Sequence, residues 1–318
     1  MKQVGILSMG MAVPQKVLTN SDLEKMVDTS DEWILTRTGI RERHILGPDE
    51  NLRDLLIDAA KTACAGSKIA ADKIDFIINS TLTPDRISPA GAFEIARELG
   101  ADCLCFDLNA ACSGFIYSLA VAESFLKTRD VGYGIVTAGE QITRLTNYQD
   151  RASCILFGDG AAAALLTNDR PEHLLLYTEL GADPSLSNEV VVGGINDLLT
   201  GRNQDFYFRQ NGKVIFKFGV NKIKELFHKI PEKVGINPAE IRYIIPHQAN
   251  IRIIEAAAKE IANEKTEFIT NLDRYGNSSS ASIGLAMCEA WNRFEKGDYI
   301  LLIGFGAGLS WGAALFQW

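Results

Sequence analysis

Ala71-Asp-Lys-Ile-Asp-Phe-Ile-Ile78 and Pro238-Ala-Glu-Ile-Arg-Tyr-Ile-Ile245 read as two versions of one segment, each a helix exit leading into an apolar strand. A second pair follows in the same order, where Gly160-Ala-Ala-Ala-Ala-Leu-Leu166 is echoed by Gly312-Ala-Ala-Leu-Phe316. Two matches in one order favour a duplicated α/β unit over chance likeness of short apolar runs. Around them strands and helices alternate. Hydrophobic periodicity predicts strands at 5–9, 74–79, 104–108, 133–138, 154–157 and 161–166, then from 174 and at 243–245, 299–303 and 311–316. It predicts helices at 21–26, 51–64, 89–99, 113–126, 218–227, 251–260 and 282–294. The helix at 113–126 is apolar on nearly all sides and is therefore expected to be deeply buried. A duplicated fold of this kind gathers the strand-to-loop ends of both halves around one cleft. The expected division is 1–170 and 171–318.

Composition sets the outer limits. A chain of 318 residues that is 47% apolar and 23% charged is not disordered, and its length suits about two domain-sized units. Lys plus Arg number 32 against 40 Asp plus Glu, and a net charge of −8 argues against nucleic-acid binding. No apolar run approaches the roughly 18–20 residues of a membrane span, so no membrane partner is expected. The start of the chain reads as a first strand and not a signal peptide, which makes the expected location cytoplasmic. The six cysteines, at 64, 103, 105, 112, 154 and 288, have neither C-x-x-C nor zinc spacing. No metal, cofactor or disulfide framework is expected.

Cys112 has the unusual setting. It lies in Asn109-Ala-Ala-Cys-Ser-Gly-Phe115, between a strand and the buried helix. A thiol at a helix N-terminus feels the positive end of the dipole, which lowers its pKa and favours thiolate. Its small neighbours admit a substrate carbonyl, although a tight strand-to-helix turn wants small residues in any case. His247 ends the strand at 243–245 in Pro246-His-Gln-Ala-Asn-Ile-Arg252, a position open to catalysis or to a hydrogen-bonded structural role. His44, His173 and His228 sit in charged or helical, surface-like contexts. Asn277 follows the turn glycine of Arg274-Tyr-Gly-Asn-Ser-Ser-Ser-Ala281, where asparagine is commonly structural. Gly304-Phe-Gly-Ala-Gly308 lies between two strands, so it lacks the strand-loop-helix context of a phosphate loop. It suits close backbone approach to a reacting carbonyl.

Together these motifs resemble β-ketoacyl-acyl-carrier-protein synthase III of the thiolase superfamily. Asp28-Thr-Ser-Asp-Glu-Trp-Ile34, Thr36-Arg-Thr-Gly-Ile-Arg-Glu-Arg43 and Phe157-Gly-Asp-Gly160 match the same family, and the likeness runs from about Gly5 to Trp318. The resemblance implies a thiolase-like fold, two α/β halves in a layered αβαβα arrangement, with the nucleophile in the first half and a His/Asn pair in the second. It implies an acyltransferase that condenses an acyl-CoA starter with malonyl-ACP, with decarboxylation, to initiate fatty acid synthesis. The implied catalytic residues are Cys112, His247 and Asn277, with the backbone N–H groups of Cys112 and Ala307 as oxyanion hole. The glycine loop lacks the second cysteine of a thiolase, and Asn277 stands where chain-elongating synthases use a second histidine.

The resemblance further makes Trp33 and Arg151 a sandwich for the CoA adenine, with Arg37 and Thr38 at the same tunnel mouth. The alternative for Trp33 is a core aromatic beside Ile34, but the flanking charges Asp31, Glu32 and Arg37 suggest a surface and favour the ligand reading. Acyl carrier protein would dock on Arg252, flanked by Lys213, Lys217 and Lys259. The loop Thr83-Pro-Asp-Arg-Ile-Ser-Pro89 would reach across a homodimer interface, with Ile87 and Ser88 bounding the starter pocket. Two other readings are a secondary-metabolism condensing enzyme or acyltransferase of the same fold, and a catalytically silent partner subunit.

Overall fold

A computed structural model describes residues 2–201, 206–261, 263 and 265–318. Its principal sheet contains ten strands. The first five are β1 (Gly5–Ala12), β2 (Phe76–Ser80), β3 (Leu104–Leu108), β4 (Tyr133–Glu140) and β5 (Gly160–Thr167). The others are β6 (His173–Ala182), β7 (Ile241–Pro246), β8 (Glu267–Phe268), β9 (Tyr299–Gly306) and β10 (Ser310–Gln317). They lie in the order β8-β7-β9-β10-β6-β1-β5-β4-β2-β3. Read outward from the β1–β6 contact, both sides run first, fifth, fourth, second, third. Both also pair antiparallel, antiparallel, parallel and parallel. One topology is used twice.

The helices that matter here are α1 (Asp31–Thr38), α2 (Leu52–Ser67), α3 (Gly91–Leu99), α4 (Gly114–Thr128), α5 (Gly212–Val234), α6 (Ile251–Ile261) and α7 (Ser282–Ala290). Alternation along the strands sorts side chains between layers. Ile300 and Leu302 of β9 join Phe115 and Leu119 of α4 and Ile283 and Met287 of α7 in the central core. Leu301 and Ile303 instead meet Ile223 and Leu226 of α5 and Ile253 of α6. On the other side, Phe76 and Ile78 of β2 enter the central core, whereas Ile77 packs with Leu52, Leu56 and Ala60 of α2 and Ile95 of α3. Helices therefore cover both outer faces and fill the middle, giving the expected αβαβα layering. The contact between α2 and β1 is close enough that a Cβ on Gly10 would lie 2.1 Å from the Ala59 carbonyl oxygen.

Several predicted boundaries change. The segment at 154–157 is not a strand. Arg151–Cys154 forms one helical turn capped by the Asp150 side chain on Ala152 N, and Phe157 makes only an isolated bridge to Asn277. A short apolar run carries no period able to separate these states. The first helix is Asn20–Leu23, not 21–26, because Thr19 and Asp22 close a capping box around its start. The helix predicted at 218–227 extends over Gly212–Val234, and that at 282–294 ends at Ala290 before a 3₁₀ turn. All six cysteines are free. Among the described residues no helix is long and apolar enough to cross a membrane.

Candidate active site

Cys112 stands where β3 turns into α4. The Asn109 side chain accepts from Ala111 N (3.1 Å), Ala111 takes φ +47°, and a 3₁₀ turn over Ala111–Ser113 leads into the helix. Gly114 is required at the helix start, because a Cβ there would lie 1.9 Å from Ser80 Oγ at the end of β2. From the other half, β9 ends against the same turn: a Cβ on Gly306 would lie 2.8 Å from Cys112 N. Cys112 and Ala307 line one cavity of about 270 Å³ with Leu82, Ile142, Phe208 and Ser279.

Sequence reasoning expects a thiolate, and the structure reverses that expectation. Burial pushes the Cys112 thiol up to about 12, and the nearby Glu140 carboxylate adds to the rise. The Ser279 hydroxyl, 3.4 Å from Cys112 Sγ, acts in the opposite direction. Burial thus favours the neutral thiol over the thiolate.

His247 follows β7, with its N–H bonded to the Ile303 carbonyl (2.8 Å) and its ring edge-on to Phe305. It is buried, and desolvation holds its pKa down at about 3, so the ring is neutral at physiological pH. Its Nδ1 lies 2.7 Å from Ser282 Oγ, and Gln248 N donates to the same oxygen (3.4 Å). When the Ser282 O–H donates to Nδ1, the ring proton sits on Nε2. Asn277 is fixed by its backbone on both sides: its N–H donates to Leu156 O (2.8 Å) and its carbonyl accepts from Gly158 N (3.2 Å). Its Oδ1 accepts from Ser279 N (2.9 Å), which orients the amide and turns Nδ2 into the donor.

Segment 277–282 thus touches each of the three. It contains Asn277, brings Ser279 to Cys112 and brings Ser282 to His247. Neither His247 nor Asn277 lines the 270 Å³ cavity that Cys112 opens into. Sequence reasoning missed Glu140, Ser279 and Ser282. The serine run reads as a packed helix start, and the predicted strand at 133–138 stops two residues before Glu140. A carboxylate at the C-terminal end of an apolar strand is the signal that could have found it.

The remaining candidates divide. Arg151 places its guanidinium 4.8 Å from the Trp33 ring centroid and donates to Asp28 O (2.9 Å); Arg37 is 5.9 Å from the same ring. The pair is together but closed, since a purine between two faces needs about 7 Å. Thr38 faces inward. It is buried, and its hydroxyl donates to Ile34 O (2.7 Å) and accepts from Ile40 N (3.1 Å), finishing α1. Arg252 and Lys259 on α6 and Lys213 and Lys217 on α5 are all exposed, on helices that pack against each other. Ile87 and Ser88 are exposed and lie outside the Cys112 cavity of their own chain. Neither His44 nor His173 is a surface histidine. His44 stacks on Tyr275 and His173 on Trp318, both half-buried.

Comparison with known proteins adds the family. Two family models match, 3-oxoacyl-[acyl-carrier-protein] synthase III over residues 106–184 and its C-terminal model over 232–318. The β-ketoacyl-[acyl-carrier-protein] synthase III of Desulfitobacterium hafniense is 41% identical over all of this chain and 98% of its own length. The crystal structure of the Aquifex aeolicus 3-oxoacyl-[acyl-carrier-protein] synthase III superposes with a TM-score of 0.91 at 38% identity, over 99% of this chain and all of that one. A priming β-ketosynthase from the R1128 polyketide pathway superposes at 0.92 with 30% identity, covering 99% and 96%. The chain belongs to the β-ketoacyl-[acyl-carrier-protein] synthase III family, the condensing acyltransferases of thiolase-like fold that initiate fatty acid synthesis.

Proposed function

We propose that this chain, working in the cytoplasm, condenses an acyl-CoA starter with malonyl-ACP, with loss of carbon dioxide, through Cys112, His247 and Asn277. The observation that carries the reading is segment 277–282, which supplies Asn277, a hydroxyl on Cys112 Sγ and a hydroxyl on His247 Nδ1. The Cys112 sulfur attacks the acyl-CoA carbonyl, a new C–S bond forms, and CoA leaves as its thiol. Decarboxylation of the malonyl thioester then generates an enolate. His247 Nε2–H and Asn277 Nδ2–H donate to its oxygen, and a neutral imidazole with its proton on Nε2 is suited to that role. The carbanion attacks acyl-Cys112 while Cys112 N–H and Ala307 N–H hold the oxyanion, and the sulfur is expelled.

In this reading CoA enters past Trp33, Arg37 and Arg151. The adenine displaces Arg151 from the indole, a face suited to either partner. Carrier protein docks on Arg252 with Lys213, Lys217 and Lys259. The chain is organised as halves 1–170 and 171–318, supported by the repeated strand order. It works as a homodimer: β3 lies at the sheet edge, and Leu104, Phe93 and Ile87 are exposed. Ile87 and Ser88 then bound the partner's starter pocket. A specialised priming role is the second reading, supported by the likeness to the polyketide priming synthase. The test is intact-mass measurement after mixing with acetyl-, butyryl-, isobutyryl- and octanoyl-CoA, followed by product assay with malonyl-ACP. An acyl adduct on Cys112 and a β-ketoacyl-ACP product are expected; a chain that takes no acyl group refutes the reading.

A further inference from the structure

Glu140 is a buried carboxylic acid that the condensation mechanism leaves without a task. It ends β4 and is fully enclosed. Its carboxyl accepts from Thr83 Oγ1 (2.5 Å), Thr81 Oγ1 (3.1 Å), Leu82 N (3.1 Å) and Ser280 Oγ (2.8 Å). A fifth donor, Ser279 Oγ, lies at 3.5 Å and is the same hydroxyl that stands 3.4 Å from Cys112 Sγ. Ser279 is held there at φ +50°, in the left-handed region that a β-substituted residue seldom adopts, with its N–H fixed by Asn277 Oδ1. The backbone is thus committed to placing one hydroxyl between a thiol and a carboxyl.

We propose that Glu140 is a positioning residue that draws the proton from the Cys112 thiol through the Ser279 hydroxyl. Ser279 Oγ accepts the S–H proton as its own proton passes to Glu140, leaving a thiolate and a neutral carboxylic acid. The thiolate attacks the acyl thioester and the C–S bond to CoA breaks. Ser279 lines the cavity and hands a proton to the departing sulfur, recovering one from Glu140. CoA leaves as a thiol and Glu140 returns to its carboxylate. This step rests on the proposed acylation of Cys112.

The electrostatics agree with the geometry. Burial raises the Glu140 carboxyl to about 7, with the hydrogen bonds from Thr83, Ser280, Leu82 and Thr81 opposing the rise. Among titratable groups nearby, Cys112 feels its charge directly, and Asp85 is at one remove through Gln141 Nε2. Asp159, before the strand partner of Glu140, is engaged by Leu46 N and Thr143. Helix α2 brings Leu52 and Leu56 beside Gly139, and its Arg53 N–H donates to Asp85 Oδ2 (2.8 Å). A group poised near neutrality is suited to relay a proton in both directions.

The experiment reads Cys112 by two reactions across pH 5.5–9, alkylation by iodoacetamide and acetylation by acetyl-CoA, each resolved by peptide mass. In the wild type both rates should rise through a limb near 7. Glu140→Gln, nearly isosteric, should lose the limb and react at least tenfold more slowly at pH 8. Ser279→Ala should do the same. Ser280→Ala removes a donor to the carboxyl without touching the sulfur, so the limb should move up by about half to one pH unit. A limb that survives in Glu140→Gln, or that stays in place in Ser280→Ala, overturns the proposal. So does a Glu140→Gln variant whose acetylation fails while its alkylation profile is that of the wild type. If Glu140→Gln fails to fold, the two serine variants decide. If wild-type Cys112 takes no acetyl group, the acylation reading fails, while the alkylation arm still tests Glu140.

Discussion

Two turns, one in each half, use the same backbone for opposite ends. Ala111–Ser113 and Ser279–Ala281 are both 3₁₀ turns feeding a buried helix, and each opens on a non-glycine residue in the left-handed region, at φ +47° and +50°. The first turn presents a thiol to the cavity. The second presents hydroxyls: Ser279 to Cys112, Ser280 to Glu140, with Ser282 just beyond reaching His247. A strained conformation is kept in both because each must aim a short side chain at the seam between the halves. In the proposed mechanism bond making falls to one turn and the handling of protons and hydrogen bonds to the other.

The most severe way to break that contrast is Cys112→Ala. It should abolish the acyl adduct seen by intact mass while leaving the thermal unfolding midpoint close to the wild type, and an adduct on another cysteine would sink the assignment. Next come His247→Ala and Asn277→Ala, each removing one donor to the enolate. Condensation should fall about 10²–10³-fold, and acylation far less. Burst acylation and malonyl decarboxylation measured separately decide it, and the reverse pattern would exchange the roles of the two turns. Ser282→Ala frees the tautomer of His247 without removing the ring. It should lower decarboxylation about tenfold, the usual scale for a group that orients a functional imidazole; unchanged decarboxylation would show that Nδ1 needs no partner.

Stability against pH sharpens the same comparison, because the two buried groups titrate in opposite senses. His247 has its folded value depressed from 6.5 to about 3, so its contribution is present above 6.5 and is lost as pH falls toward 3. The folded value of Glu140 is raised from 4.5 to about 7, so its contribution is present below 4.5 and is lost as pH rises through 7. Relative to the wild type, Glu140→Gln should therefore gain in unfolding midpoint between pH 5 and pH 8. A constant difference would remove Glu140 from the titrating set. The smallest effect is expected far from both turns. Arg252→Glu should raise KM for malonyl-ACP several-fold, less at high salt, and leave KM for acyl-CoA unchanged; equal changes in both would end the docking role.

Much of this was written along the chain. The repeat of 71–78 in 238–245 is local and periodic, so it survives any packing, and it led directly to a doubled α/β sheet whose strand order does repeat. Cys112, His247 and Asn277 stood out as candidates because each follows a strand or a turn glycine, positions where α/β folds place their ligands. Other features were out of reach. Burial raises the Cys112 thiol, and its surroundings include Ala307, 195 positions away, whereas the dipole argument used neighbours alone. The closed Trp33–Arg151 pair and the inward Thr38 hydroxyl are likewise decisions of packing.

The sequence by itself determined which segments alternate, which half carries the thiol and which the imidazole and amide, because periodicity and residue type are local properties. Only the tertiary structure decided that Glu140, Ser279 and Cys112 meet, since they come from β4 and two turns separated by 139 and 167 residues. A hydrogen-bonded line from a carboxyl to a thiol has no spacing in sequence. It exists because two copies of one topology close around a buried seam, where each polar contact is strengthened by exclusion from solvent.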